Sequence, residues 1–204
     1  MEIGVVMEIL AIQGSLGSPS RTDALVELAE EILTGWGHRV HVFDLRQHDL
    51  PWVDPDAHGA SNGRASRSVR ELISLAARAD AHIWASPVYH NSYSGVLKCA
   101  LDHLAMPQLR DKPVALCGDG GRCGSEQPLD HLRTVARSFH AVATPAVVTS
   151  RSDDFVERDD RYEVVNSEIV ERTYQMCEEL VRFARLFEAE SEAESAVLSD
   201  PGGE

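Results

Sequence analysis

The sequence predicts an open α/β fold: one parallel sheet of five strands with helices on both faces. Short apolar runs and amphipathic helical stretches alternate five times along the chain, which is the pattern of repeated strand–helix–strand units. The length, 204 residues, suits a single domain with a full core. Turns rich in glycine and serine follow several of the strand runs, where such sheets collect their ligands.

Taken in order, residues 8–13 (EILAIQ) form a buried strand that ends at Gly14. Residues 14–22 are a turn, and Ala24, Leu25, Leu28, Ala29, Ile32 and Leu33 then recur at helical spacing until Gly35 and Gly37. Residues 38–45 alternate as a second strand. A long loop over 46–67 follows, of a length that marks function or an interface. Val69, Leu72, Ile73, Ala76 and Ala79 define the next helix, and 81–85 the third strand. Ser94 is placed to cap a helix carrying Val96, Leu97, Ala100, Leu101 and Leu104. Residues 113–117 are the fourth strand, 118–124 a second glycine loop, 126–139 a helix and 146–149 the fifth strand. Asn166 or Ser167 opens the last helix, with Glu168 and Glu171 near its start and Arg182 and Arg185 near its end, as the helix dipole favours.

Formal net charge is −14. Six acids and no base fall in residues 188–204, so the domain is expected over 1–187 and an unstructured acidic tail beyond it. The body keeps a charge of −8, which disfavours nucleic-acid binding. No apolar run is long enough for a membrane span, and the start lacks the cationic region of a signal peptide. Cys99, Cys117, Cys123 and Cys177 form no Cys-x-x-Cys pair and read as reduced thiols of a cytoplasmic protein. The nine histidines show no ligand spacing, so no metal is expected and most are read as surface residues. No Gly-x-Ser-x-Gly elbow supports a hydrolase.

Three loops carry the candidate chemistry. The first, Gly14 to Thr22, joins a strand end to a helix start, where free N–H groups and the helix dipole welcome a phosphate. Ser15, Ser20 and Thr22 add hydroxyls and Arg21 a guanidinium; a plain capping turn is the alternative. It is neither a Walker loop nor a Gly-x-Gly-x-x-Gly turn. The second, Ser86 to Gly95, holds Pro87, Val88, Tyr89, His90 and Asn91, a polar wall for a planar ring. In the third, Gly118, Asp119, Gly120 and Gly121 allow close backbone approach.

The stretch Ser86-Pro-Val-Tyr-His-Asn-Ser-Tyr-Ser-Gly-Val-Leu-Lys98, with Asp102 on the helix that follows, resembles the signature of the NADPH-dependent FMN reductase family. The first loop resembles that family's phosphate loop, and is closest in look to the alkanesulfonate-type reductases. Residues 50–54 (LPWVD) resemble its Leu-Pro loop. The resemblance implies a flavodoxin-like sheet of order 2-1-3-4-5, FMN as cofactor, NADPH or NADH as hydride donor, and a homodimer or homotetramer. It implies FMN phosphate on Ser15, Ser20, Arg21 and Thr22. The ring would lie against Pro87, Val88, Tyr89, His90 and Asn91, with Gly118, Asp119, Gly120 and Gly121 at its far edge. No acid–base residue is required, and His90 is the one catalytic candidate.

Gly17 stands where the family has an arginine, and Asp119 sets a negative charge beside the expected flavin. Both differences point to an enzyme that releases reduced FMN to a partner monooxygenase. The alternatives are a quinone or azo-compound reductase that keeps its FMN, and a non-catalytic flavin-binding or interaction module. An electron-carrier flavodoxin is disfavoured because its Thr-x-Thr-Gly-x-Thr loop is missing.

Overall fold

The structure, a computed structural model, describes residues 5–54, 65–122 and 126–199. Its centre is a pair of strands, β3 (Ala81–Pro87) and β4 (Pro113–Asp119), in which every residue is buried. Strands covered on both faces lose the apolar–polar alternation, which is why both read as continuous runs. Around them stand β1 (Glu8–Gln13), β2 (Arg39–Asp44) and β5 (Val142–Ser150), all parallel, in the order β2-β1-β3-β4-β5.

Alternate strand residues feed two cores. Ile9, Ala11, Ile83 and Cys117 pack against α1 (Arg21–Gly35) and α6 (Ser167–Ser199). Leu10, Ile12, Trp84 and Leu116 pack against α2 (Arg67–Arg78), α3 (Gly95–Asp102) and α5 (Glu126–Ser138). Ser20, Ser66 and Ser94 cap α1, α2 and α3, each accepting a main-chain N–H of the first turn. The short helix α4 (Met106–Leu109) precedes β4.

The structure departs from the sequence reading in several places. The fifth strand begins at Val142 rather than 146. Its register against β4 shifts between Val114 and Leu116, near Pro145, and Arg133 donates to the carbonyls of Thr144 and Pro145 at 2.8 and 2.9 Å. A proline and a bulge hide a strand from pattern reading. A short 3₁₀ turn (Ser152–Asp154) and an antiparallel hairpin, β6 (Phe155–Arg158) and β7 (Arg161–Val164), fill a stretch that had no assignment. The acidic segment expected as an unstructured tail from 188 is helical as far as Ser199, in keeping with its alanine and glutamate content; residues 200–204 lie outside the described residues. Finally, His82 is fully buried rather than at the surface, because β3 has no exposed face.

Neither ring nitrogen of His82 makes a hydrogen bond of ordinary geometry. Burial pushes its pKa down to about 3, the Lys112 ammonium adds to the shift, and the Gln108 main chain opposes it. The folded protein therefore refuses a proton that the unfolded chain accepts below 6.5. Stability falls on acidification through that window by about 1.4 kcal/mol per pH unit, and is unaffected above it. His82→Leu should remove this slope, seen as a smaller drop in urea midpoint between about pH 7 and about pH 5.

Candidate functional site

Strand order reverses between β1 and β3, and their carboxyl ends are stitched together there. Gly14 N–H donates to the Ala85 carbonyl at 2.8 Å. Ser94 Oγ donates to the Gly14 carbonyl at 2.6 Å, and Ser94 N–H to Ser86 Oγ at 2.8 Å. A Cβ on Gly14 would stand 2.7 Å from the Ala85 oxygen and 3.0 Å from Leu97 Cβ. The glycine is required by this close approach.

The first loop leaves the clamp and enters α1. The Gln13 carboxamide lies beneath it, its Oε1 accepting Ser15 N–H at 3.1 Å while its Nε2 donates to Asp23. Ser15 Oγ accepts Gly17 N–H at 3.2 Å and Ser20 Oγ accepts Asp23 N–H at 3.4 Å. Both serines are buried, and each hydroxyl proton has no acceptor among the described residues, so it remains to be donated. The N–H groups of Arg21 and Thr22 are in the first helical turn, where no intrahelical acceptor exists. Thr22 itself is buried behind the loop.

A second guanidinium, unforeseen in the sequence, sits beside this loop. Arg46, just past β2, donates Nη1 to the Gly17 carbonyl at 3.0 Å and pairs with Asp23 and Asp44 at 2.6 and 2.8 Å. Burial raises the pKa of Asp23 against the pull of Arg46. Burial also works against the charge on Asp44, but hydrogen bonds from Arg46 hold its pKa below the ordinary value.

The loop after β3 is a tight turn. Tyr89 and Ser92 exchange main-chain hydrogen bonds at 2.8 and 3.0 Å, with His90 and Asn91 left-handed at φ 50° and 60°. Pro87 is buried and Val88 half-buried, whereas Tyr89, His90 and Asn91 are exposed. No hydrogen bond or ion pair among the described residues orients His90, so the structure adds nothing to it as a catalytic candidate.

Gly118 and Asp119, read from the sequence as loop, are the last residues of β4, and the chain then passes Gly120 and Gly121, the latter left-handed at φ 58°. Cys123 and Gly124 lie outside the described residues. The Asp119 side chain is turned inward. Its Oδ2 accepts Arg21 Nε at 3.0 Å and its Oδ1 accepts Ser150 Oγ at 3.3 Å. The negative charge expected beside the cofactor is therefore paired with the cation expected on the phosphate.

A polar cleft of about 640 Å³ opens beyond the ends of β4 and β5, lined by Val88, Asn91, Ser150, Arg151, Asn166 and Arg172 among others. A smaller one of about 210 Å³ lies between the first loop and the β6–β7 hairpin. A larger cleft, about 850 Å³, is elsewhere, where Trp36 and His38 face α6 near the strand amino ends. Cys117 and Cys177 are buried, with pKa values pushed up to about 12 by burial, and act as packing groups. Among the described residues no group of three or more His, Cys, Asp or Glu is placed to hold a metal ion, and no helix is long and apolar enough to cross a membrane.

A sequence profile described as NADPH-dependent FMN reductase matches residues 7–154, which span all five sheet strands and all three loops. The chain belongs to the NADPH-dependent FMN reductase family. An FMN-dependent NADPH-azoreductase of Staphylococcus saprophyticus is 35% identical over 182 residues, covering 88% of this chain and 96% of that one. The Staphylococcus aureus protein of the same description is 34% identical over 178 residues, 87% of this chain and 95% of its own. FerB, a flavoenzyme NAD(P)H:(acceptor) oxidoreductase of Paracoccus denitrificans, has a TM-score of 0.69 over 90% of this chain and 98% of that one. At 21% identity that likeness shows the fold alone.

The chain is thus an NAD(P)H-dependent flavin oxidoreductase of flavodoxin-like fold. Its residues fit the cofactor. Two serine hydroxyl protons and the first-turn N–H groups of α1, without acceptors among the described residues, suit a phosphate, and a tight polar turn and a glycine loop flank the space beyond it. What the sequence reading missed in this reductase is Arg46, Ser150 and the hairpin. Only the hairpin had a legible signal: alternating residues on either side of Asp159-Asp160, both left-handed at φ 47° and 60°. Gly14→Ala should destabilise the protein by about 1–3 kcal/mol through overpacking, read as a lower urea midpoint.

Proposed function

We propose that this chain keeps FMN as a resident cofactor and passes electrons from NADPH to an azo or quinone acceptor. The observation that carries the reading is the pairing of Asp119 with Arg21. Release of reduced FMN rests on an uncompensated Asp119 and on the arginine missing at Gly17. Asp119 is compensated, which weakens that reason for release. Arg46 meets the Gly17 carbonyl from just past β2, but Asp23 and Asp44 hold its charge, so the reason at Gly17 stands. The azoreductase relatives, which align with nearly their whole length, support the same choice.

When bound, FMN supplies the redox chemistry, accepting hydride from the nicotinamide and delivering electrons to the acceptor. The chain's own part is binding and exclusion. Ser15 and Ser20 would donate to the phosphate together with the first N–H groups of α1, which attract an anion. Pro87, Val88, Tyr89, His90 and Asn91 would bound one side of the ring and Gly118, Gly120 and Gly121 the other. The cleft beside Val88 and Asn91 offers the acceptor a polar approach. Supply of reduced FMN to a monooxygenase is the second reading, favoured only by Gly17. We place the enzyme in the cytoplasm.

Purified protein should be yellow, retain stoichiometric FMN through gel filtration, and reduce an azo dye with NADPH without added flavin. Colourless protein that oxidises NADPH only with free FMN would reverse the choice in favour of supply.

We also propose a homodimer or homotetramer assembled through the Leu50–Val53 loop. That loop lies on α3, where His103 Nε2 meets the Pro51 carbonyl at 2.7 Å. Trp52 is left 85% exposed, and so large an apolar group is expected to find cover. Trp52→Ser should lower the assembled fraction in light scattering; a wild-type monomer would count against this surface.

A further inference from the structure

Arg21 is the first residue of α1, yet its side chain does not simply face the loop that carries it. Asp119 holds its Nε at 3.0 Å, and Asp119 is fixed in turn: its side chain is 8% exposed, and its main-chain oxygen accepts Val88 N–H at 2.9 Å. On the other side the guanidinium carbon lies 5.3 Å from the centroid of the Tyr162 ring, a cation–π distance. Tyr162 meets Phe155 edge-on at 6.3 Å, and Phe155 is buried in the core under α1 and α6. Arg21 Nη2 reaches to 3.8 Å from where a Cβ on Gly121 would stand. One guanidinium, carried on the first turn of α1, therefore meets the end of β4, the glycine loop and the β6–β7 hairpin. The hairpin begins at Phe155, just past the stretch that the family profile matches.

We propose that Asp119 and Tyr162 are positioning residues that hold Arg21 ready for the FMN phosphate, and so make the β6–β7 hairpin part of the cofactor site. The proposal rests on reading the first loop as the phosphate site. With Nε held by Asp119, both Nη groups of Arg21 remain donors, and neither has a carboxylate partner among the described residues. A long side chain left free loses rotamer entropy when it meets an anion; one already clamped loses little.

The sign of one substitution separates positioning from simple charge. Asp119 is negative and close to the loop that would take a dianion. If charge alone mattered, deleting it would tighten FMN binding. Positioning requires the opposite.

FMN and riboflavin affinities of the apoprotein, measured by flavin fluorescence quenching, test this. Riboflavin lacks the phosphate and reports the rest of the site. Asp119→Ala and Tyr162→Ala should each weaken FMN binding about tenfold, the scale of one charge-assisted hydrogen bond, with riboflavin affinity unchanged. Asp119→Asn, which keeps an acceptor, and Tyr162→Phe, which keeps the ring, should stay near wild type. Unchanged or tighter FMN binding in Asp119→Ala and Tyr162→Ala would overturn the proposal. So would an equal loss for both flavins, which marks a general structural effect. Should Asp119→Ala fail to fold, the Tyr162 pair decides alone. A wild-type protein that binds FMN no better than riboflavin would reject the phosphate reading itself, and this inference with it.

Discussion

The close contact between β1 and β3 at Gly14 is the constraint on which the site depends. Two adjacent strands end together, and their chains then diverge to helices on opposite faces of the sheet. The gap this opens is where a ligand enters an α/β sheet. It is held to shape by three hydrogen bonds through Gly14, Ser86 and Ser94, all buried. Ser94 also caps α3, so the start of that helix and the end of β1 are fixed by one side chain. A side chain at residue 14 would push these elements apart.

Electrostatics around the gap are arranged in pairs rather than as a positive patch. Arg46 is shared between Asp23 and Asp44, and Arg21 is held by Asp119. Such pairs leave little excess charge for an anion. An incoming phosphate would then meet directional donors: the first turn of α1 and two serine hydroxyls, each already accepting one main-chain N–H. Preorganised donors of this kind need little rearrangement on binding. This matches a protein whose body is acidic overall and yet belongs to a family that binds FMN.

Most of the fold was legible because local rules and the tertiary structure agree. Continuous apolar runs marked β3 and β4, and serines before helical stretches marked the caps of α1 and α3. The first half of β5 was illegible because Pro145 argues against a strand, and its cost is met by Arg133 on a helix that sequence alone does not place nearby. The buried state of His82 was illegible for a related reason. Histidine is a polar residue on any composition scale, and only the stacking of helices on both sheet faces puts it out of reach of water.

The amino-acid sequence by itself determined the sheet, its helices and the three loops at one end of it, because periodicity, turn residues and family signature are all local in the chain. It also named most of the residues that line those loops. The tertiary structure decided how their charges combine. Asp119 and Arg21 are 98 positions apart and Arg46 and Gly17 are 29 apart. Read singly, Asp119 is an unwelcome charge and Gly17 a lost contact. Folded, Asp119 is answered by the guanidinium of Arg21, and the Gly17 carbonyl by that of Arg46. Pairing depends on distance in space, which the order of residues along the chain does not supply.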